Sequence, residues 1–127
     1  MRTTLLDIRR MKASGRRIPM LTAYDYASAR IADRAGVPLL LVGDSLGMVM
    51  QGNDNPLAVT MDEMVYHTKC VAKAAQRSLV IADLPFLTYT SQEDAVATAR
   101  RLMQEAGVQA VKLEGGAAVA PIVRHLV

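Results

Sequence analysis

Short, wholly apolar segments alternate along the chain with segments whose apolar residues recur at helical spacing. We predict four strands, over residues 18–24, 38–42, 78–83 and 108–113. The amphipathic segments predict helices over residues 27–35, 60–76 and 94–106, and a last helix that begins near residue 118. Strands that are apolar throughout are buried on both faces, which is typical of a parallel sheet with crossover helices. The pattern therefore predicts an α/β fold.

Two of the predicted helices carry a start signal. Thr60 and Glu63, and likewise Thr90 and Glu93, have the spacing of a capping box, in which each side chain bonds the other residue's backbone N–H. No helix is predicted between residues 43 and 59, a segment rich in Gly, Asn and Pro. We expect a long loop there.

The number of repeats constrains the architecture. The chain has 127 residues, enough for four strand–helix units, whereas a complete eight-unit barrel needs roughly 250 residues. The chain is therefore either a four-stranded open sheet or half of a closed barrel. We expect residues 1–127 to form a single domain, with residues 1–17 as a basic N-terminal arm.

The positive charge lies mostly in this arm. Residues 1–17 hold six basic residues against one acid, a net +5, whereas the remaining 110 residues hold nine basic and eleven acidic groups, a net −2. The body is therefore not a nucleic-acid surface. The arm is either a segment that touches RNA or directs targeting, or a short helix over residues 4–13 that covers one face of the fold. Apolar residues at helical spacing favour the helix: Leu5, Leu6, Ile8 and Met11.

Composition excludes several classes of protein. Hydrophobic residues make up 51% and charged residues 21% of the chain, which excludes global disorder. The single cysteine, Cys70, excludes an internal disulfide and favours a reducing cytoplasm. Aromatic residues are 4%, too few for a base-stacking platform. No apolar run approaches the roughly 18 residues of a membrane span. We therefore expect a cytoplasmic protein without a membrane partner.

Each predicted strand carries an acidic residue at its carboxyl end, where parallel α/β folds place their chemistry. These residues are Asp25, Asp44, Asp83 and Glu114. Carboxylates that meet at one rim repel one another unless a cation is present, and oxygen ligands favour Mg²⁺. Lys112 lies two residues before Glu114, so both side chains face the same side, where a lysine suits an anionic substrate such as a carboxylate.

Each of these residues also has a purely structural interpretation. An acid after a strand often caps the next helix, although Asp44 and Asp83 fit this less well because several non-helical residues are predicted to follow each. Lys112 has the alternative role of an ion-pair partner for a neighbouring acid. His67 is expected at the surface or at an interface, and Cys70 in the core.

Four segments together carry a resemblance to a known family. In order and spacing, the chain from about residue 3 to 127 resembles ketopantoate hydroxymethyltransferases, through LTAYDY (21–26), VGDSLGM (42–48), ADLPF (82–86) and VKLEGG (111–116). The resemblance implies a (β/α)₈ TIM-barrel, of which this chain covers the N-terminal four units, and a homo-oligomer, in the family a decamer. It also implies transfer of a hydroxymethyl group from 5,10-methylenetetrahydrofolate to 3-methyl-2-oxobutanoate, with Mg²⁺, in pantothenate synthesis.

The resemblance assigns roles to individual residues. It implies that Asp44, Asp83 and Glu114 form the Mg²⁺ site, and that Asp44, Ser45, Asp83 and Lys112 bind the keto acid. Chelation of the keto acid by Mg²⁺ stabilises the enolate that forms when the C3 proton leaves, and the enolate carbon attacks the one-carbon unit of the folate.

The resemblance assigns no catalytic base within the chain. The family's general base is a glutamate beyond the position of residue 127, in the second half of the barrel. Tyr24 and Asp25 match the end of the family's first strand and are expected to line the site. Four units alone leave strands one and four as open edges, so we expect a chain of this length to be unstable alone and to self-associate.

Two other functions stay open. One is a Mg²⁺-dependent α-keto-acid carbon–carbon lyase of the phosphoenolpyruvate mutase and isocitrate lyase type, which would not depend on folate. The other is a non-catalytic half-barrel that binds metal and keto acid, or a partner chain, without turnover.

Overall fold

Four parallel strands form one sheet in the computed structural model, which describes residues 1–127. They lie side by side in chain order: β1 Met20–Thr22, β2 Leu39–Val42, β3 Leu79–Asp83 and β4 Ala110–Lys112. Helices lie in each of the three connections between neighbouring strands. The prediction of an α/β fold with a parallel sheet and crossover helices is therefore confirmed.

Six α-helices accompany the sheet: α1 Leu5–Ala13, α2 Tyr26–Arg34, α3 Leu46–Val49, α4 Met61–Ala74, α5 Gln92–Arg100 and α6 Ala120–Leu126. A π-helical turn, Arg101–Glu105, continues α5, and a 3₁₀ turn, Gly116–Val119, precedes α6. None of these helices combines the length and the apolar character that crossing a membrane requires. The helices predicted around α2, α4, α5 and α6 are confirmed.

The core lies between the sheet and its helices. Leu40 and Val42 of β2 and Val80 and Ala82 of β3 are fully buried in one cluster with apolar residues of α2, α4 and α5. Leu41 and Ile81 are register partners on the opposite face and are only half-buried. Because side chains alternate across a strand, one face of the sheet is covered by helices and the other is more open.

The edge strands are shorter than their apolar segments predict. The segment 18–24 forms a strand only over Met20–Thr22, and the segment 108–113 only over Ala110–Lys112. Each pairs with one neighbour through three residues, whereas β2 and β3 pair with each other through four. An edge strand has hydrogen bonds on one side only, so fewer contacts hold its ends in the sheet than hold those of β2 and β3.

Helix starts are predicted correctly in one case and wrongly in another. Thr60 and Glu63 form the predicted capping box, with Thr60 N donating to Glu63 Oε2 at 2.7 Å. The box predicted at residues 90 and 93 is wrong, because Ser91 is the N-cap and accepts from Asp94 N at 3.0 Å. The expected loop 43–59 also contains α3, whose four residues are too few to show a helical period.

The N-terminal segment forms the predicted helix, but apolar burial does not hold it in place. No residue of α1 is buried, and Leu5 and Leu6 are more than half exposed. Arg2 instead donates from Nη2 to the backbone carbonyls of Ala72 and Ala75, at the end of α4. Polar contacts with the main chain therefore fix this segment.

One buried carboxylate joins α2 to the segment that leads into β3. Asp33 Oδ1 accepts hydrogen bonds from the backbone N–H groups of Gln76 at 3.1 Å and of Arg77 and Ser78 at 2.8 Å each, and from Ser78 Oγ at 3.0 Å. Burial would raise the pKa of Asp33, but these hydrogen bonds outweigh it and hold the pKa below 3.8. The ionised carboxylate therefore stabilises the fold.

We predict that Asp33→Ala lowers the free energy of unfolding by roughly 2–4 kcal/mol, because buried N–H groups lose their acceptor. The measurement is urea unfolding followed by circular dichroism, with Asp54→Ala at an exposed site as the control. Because the folded pKa of Asp33 is lowered, its contribution is present above pH 3.8 and is lost as the pH falls through the folded value. An equal loss in both variants would contradict the assignment.

Candidate active site

The pairing of β3 with β4 brings two of the predicted site residues together. Asp83 and Lys112 are register partners, and Lys112 Nζ lies 2.9 Å from Asp83 Oδ1. The backbone beside them is fixed as well, since Leu84 N donates to Lys112 O at 2.8 Å. The parallel register therefore places a charge pair at the carboxyl end of the sheet, where sequence analysis expects it.

Lys112 also contacts a second acid. Its Nζ donates to Glu114 Oε1 at 2.9 Å, and this hydrogen bond lowers the pKa of Glu114. The side chain of Glu114 is 77% exposed, in contrast to 7% for Asp83. Burial lowers the pKa of Lys112, but its two carboxylate partners outweigh this and raise it. Lys112 is therefore a firmly charged ammonium that bridges one buried and one exposed carboxylate.

Asp83 is the most deeply buried of the predicted site residues. Burial raises its pKa above the usual range, and the ammonium of Lys112 opposes this shift. Its Oδ2 accepts from Asp44 N at 3.2 Å, while its buried Oδ1 accepts no hydrogen bond of favourable angle and has only the charge contact with Lys112. Burial also raises the pKa of Asp44. Asp44 and Asp83 are thus two poorly solvated carboxylates at neighbouring strand ends.

Ser45 lies beside this pair and is held by Tyr24. The Tyr24 hydroxyl is 2.8 Å from Ser45 Oγ, and the Tyr24 side chain is nearly buried. Gly43 provides the space, because a Cβ at that position would lie 2.9 Å from Ser45 Oγ and 3.2 Å from Asp83 Oδ2. Neither Tyr24 nor Ser45 is among the residues that line the cavity beside Asp44 and Asp83, and the role of Tyr24 as a site-lining residue stays a prediction.

Of the two acids that follow β1 and β2, Asp25 caps a helix and Asp44 is not an N-cap residue. Asp25 is the N-cap of α2 and accepts from Ser28 N at 2.8 Å, which lowers its pKa. Its capping role therefore accounts for its position at the end of β1. The prediction that several non-helical residues follow Asp44 is wrong, because α3 begins two residues later. Its carboxylate makes no cap hydrogen bond.

His67 is a contact that sequence analysis missed. Its Nδ1 lies 2.6 Å from the backbone oxygen of Tyr24. The residue is half-buried behind the site rather than free at the surface. The two residues are 43 positions apart, and no local pattern relates them. Cys70 is half-buried, not in the core as expected.

Two of the three predicted Mg²⁺ ligands, Asp44 and Asp83, lie together at the site. No group of three histidine, cysteine or acidic side chains in the chain lies close enough together to hold a metal ion. Asp44 and Asp83 share the site, and the buried Oδ1 of Asp83 accepts no hydrogen bond and has only the charge contact with Lys112. Mg²⁺ commonly takes one or two carboxylates and completes its shell with water and substrate oxygens. Glu114, engaged by Lys112, stays a predicted ligand.

A cavity of about 200 Å³ lies beside Asp44 and Asp83 at the carboxyl end of the sheet. Its polar wall is formed by Asp44, Asp83, Lys112 and Glu114. Its apolar wall comes from the loops after β2, β3 and β4: Pro56, Leu57, Leu84, Phe86, Tyr89 and Leu113. Drug-sized ligands occupy pockets of roughly 300 Å³ or more, so this cavity suits a smaller molecule with a polar end and an apolar end.

A parallel α/β sheet with a charged, partly apolar cavity at its strand carboxyl ends defines the class of α/β enzymes that act on small molecules. Within that class the chain matches the family model of ketopantoate hydroxymethyltransferase over residues 2–127, and it belongs to that family. The resemblance inferred from the four sequence segments is confirmed.

Individual relatives agree with the family match. The 3-methyl-2-oxobutanoate hydroxymethyltransferase of Chloroflexus aggregans is 61% identical over 127 residues, which are 100% of this chain and 46% of that protein. That of Gluconacetobacter diazotrophicus is 62% identical over 126 residues, with 99% and 46% covered. The chain thus spans about half the length of the curated relatives it matches.

Solved structures support the fold. A phosphoenolpyruvate phosphomutase from Streptomyces platensis subsp. rosaceus is similar with a TM-score of 0.69 and 23% identity, over 84% of this chain and 36% of that one. A 2,3-dimethylmalate lyase, a member of the PEP mutase/isocitrate lyase superfamily, is similar with a TM-score of 0.67 and 22% identity, over 90% and 41%. At this identity the likeness concerns the fold alone.

We predict that Lys112→Met raises the pKa of Asp83 further, because the variant keeps the burial and removes the opposing charge. Carboxyl ¹³C NMR titration of the chain, with Asp83 assigned from Asp83→Asn, measures the shift. Lys73→Met, at an exposed position, is the matched control and should leave the titration unchanged. An Asp83 pKa that does not move in Lys112→Met would show that the ion pair is absent in solution.

Proposed function

We propose that this chain forms the keto-acid-binding half of a ketopantoate hydroxymethyltransferase, which transfers a hydroxymethyl group from 5,10-methylenetetrahydrofolate to 3-methyl-2-oxobutanoate. The single observation that carries the proposal is the contact of buried Asp83 with Lys112, with Asp44 and Ser45 beside it, in a chain 61% identical to a protein named for this reaction. A small α-keto acid has the anionic head and branched apolar tail that the cavity suits.

The chain's own residues would bind and orient the substrate. Lys112 offers a charged donor to the carboxylate or the keto oxygen, and its ammonium is already held by Asp83 and Glu114. Ser45 offers a hydroxyl donor from the neighbouring strand end. The apolar side chains of Leu57 and Phe86 line the same cavity and would pack against the isopropyl group. Together these contacts place the C3 carbon away from the charged wall.

Asp44 and Asp83 are the residues that would hold Mg²⁺, with Glu114 as a further predicted ligand. A divalent cation bound there withdraws charge from the keto oxygen and so lowers the cost of removing the C3 proton. Two desolvated carboxylates whose pKa values are raised gain from a positive partner. None of the residues 1–127 is assigned as the general base; in the proposal it lies in the family's second half.

The complete fold proposed for this activity is a (β/α)₈ barrel. Strands β1 and β4 are the sheet edges, so they are the strands where four further units would continue the sheet. The proposal also includes a cytoplasmic homo-oligomer that takes part in pantothenate synthesis. The lyase alternative rests on solved structures whose likeness is one of fold only, and no contact at the site favours it.

We expect the chain to bind 3-methyl-2-oxobutanoate in the presence of Mg²⁺ and to lose this binding on addition of EDTA. Lys112→Met should weaken the binding about 10- to 100-fold, since hydrogen bonds to charged groups are worth roughly 1.5–3 kcal/mol. Saturation-transfer NMR at increasing keto-acid concentrations measures the affinity, and Lys73→Met is the control.

The complementary measurement is turnover. Formation of 2-dehydropantoate that requires 5,10-methylenetetrahydrofolate supports the transferase. Equal binding by wild type and Lys112→Met, or folate-independent cleavage of a carbon–carbon bond, would contradict it. Binding without turnover would support the other alternative, a non-catalytic half-barrel that binds metal and keto acid.

A further inference from the structure

The Tyr24 hydroxyl makes one hydrogen bond in the structure, to Ser45. The Tyr24 side chain is 9% exposed and lies in the core cluster, yet its phenol oxygen reaches the site and lies 2.8 Å from Ser45 Oγ. A tyrosine that only filled space would need no partner at this distance, and a phenylalanine would serve equally. The contact therefore engages the hydroxyl of Ser45 and the hydroxyl of Tyr24 in one hydrogen bond.

The hydroxyl of Ser45 does not serve α3. Ser45 precedes the first residue of α3, but its backbone is helical, with φ −54° and ψ −12°, whereas a capping serine has an extended backbone. Its side chain accordingly makes no cap hydrogen bond. Its Oγ points instead across Gly43, the residue whose missing Cβ leaves room for both Ser45 Oγ and Asp83 Oδ2. The Ser45 hydroxyl and the Asp83 carboxylate therefore lie on the same side of Gly43.

We propose that Tyr24 is a positioning residue that fixes the rotamer and the donor role of Ser45 toward the keto acid. A serine hydroxyl has one hydrogen to donate and two lone pairs that accept. When Tyr24 donates to Ser45 Oγ, the single hydrogen of Ser45 stays free for an oxygen of the substrate, which can only accept. The inference rests on the proposed function, because it needs an anionic ligand beside Ser45.

The backbone around Tyr24 is held firmly enough for this task. Ala23 N donates to Leu41 O at 3.0 Å, which extends the β1–β2 ladder up to Tyr24. His67 Nδ1 lies 2.6 Å from Tyr24 O, and since a carbonyl oxygen only accepts, this nitrogen carries the proton. The main chain of Tyr24 is therefore fixed from β2 and from α4, and its side chain has little freedom to leave Ser45.

The test is a double-mutant cycle on Mg²⁺-dependent binding of 3-methyl-2-oxobutanoate. Tyr24→Phe removes one hydroxyl and keeps the ring, and we expect it to weaken binding about 3- to 10-fold, the range of one net hydrogen bond. Ser45→Ala should weaken binding at least as much. The double variant should bind no more weakly than Ser45→Ala alone, because Tyr24 acts only through Ser45. Tyr66→Phe, at an exposed position on α4, is the matched control.

A spectroscopic readout tests the contact without any ligand. In the chain labelled with ¹³Cζ-tyrosine, Ser45→Ala should shift the Tyr24 resonance and leave that of Tyr66 in place. An unshifted Tyr24 signal overturns the proposal. Circular dichroism should show Tyr24→Phe folded at the temperature of the binding measurement, so that a change in binding is not a change in folding.

The outcomes separate this inference from the function on which it rests. Binding by wild type with losses that add in the double variant overturns the role of Tyr24 and leaves the proposed function standing. Absence of Mg²⁺-dependent keto-acid binding by the wild-type chain overturns both. Non-additive losses together with the shifted Tyr24 resonance support the positioning role.

Discussion

The parallel register between β3 and β4 is the constraint on which the site depends. It sets Asp83 opposite Lys112 at the last position of both strands, so that the two side chains leave the sheet on the same face. A slip of one residue in either strand would turn one of them to the opposite face. Burying the Asp83 carboxylate is costly without a partner, and the ammonium of Lys112 offsets that cost. Sheet pairing and charge pairing therefore reinforce one another.

The neighbouring elements extend this arrangement to the other two strands. Asp83 Oδ2 accepts from the backbone of Asp44, which follows β2, and the open space above Gly43 lets Ser45 approach the same carboxylate. Tyr24, after β1, reaches Ser45. A chain of contacts thus runs from β4 to β1 along the rim. The geometry at any one strand end is set by the strand beside it.

The parts predicted from sequence are those with a local cause. Apolar runs reveal the strands, and their uniform character reveals that the sheet is parallel. Strand polarity then places Asp44, Asp83 and Lys112 at one rim, where the structure has them. Strand lengths are not local, because β1 and β4 each pair with one neighbour through only three residues, and the apolar runs do not show where that pairing stops. The N-cap at Ser91 differs by one residue from its prediction because two hydroxyl residues in succession satisfy the same spacing rule.

The parts not predicted are contacts between distant residues. The hydrogen bonds of Asp33 span 43 to 45 positions and that of His67 spans 43, and neither residue stands in a pattern that indicates its partner. Asp25 and Asp44 look alike in sequence, as acids that follow a strand, yet one caps a helix and the other borders the cavity. The distinction depends on whether a helix N–H lies within reach, which only the folded backbone decides.

The carboxylate of Asp33 has a consequence for how the family can vary. It binds the segment before β3 mainly through main-chain N–H groups, and the side chains of Gln76 and Arg77 are exposed. The connection therefore depends on the backbone conformation of residues 76 and 77 and not on which side chains they carry. Almost any residue fits at these two positions, except proline, which lacks the N–H that Asp33 requires. Substitutions at these two positions can change the charge of this surface without loosening the connection between α2 and β3.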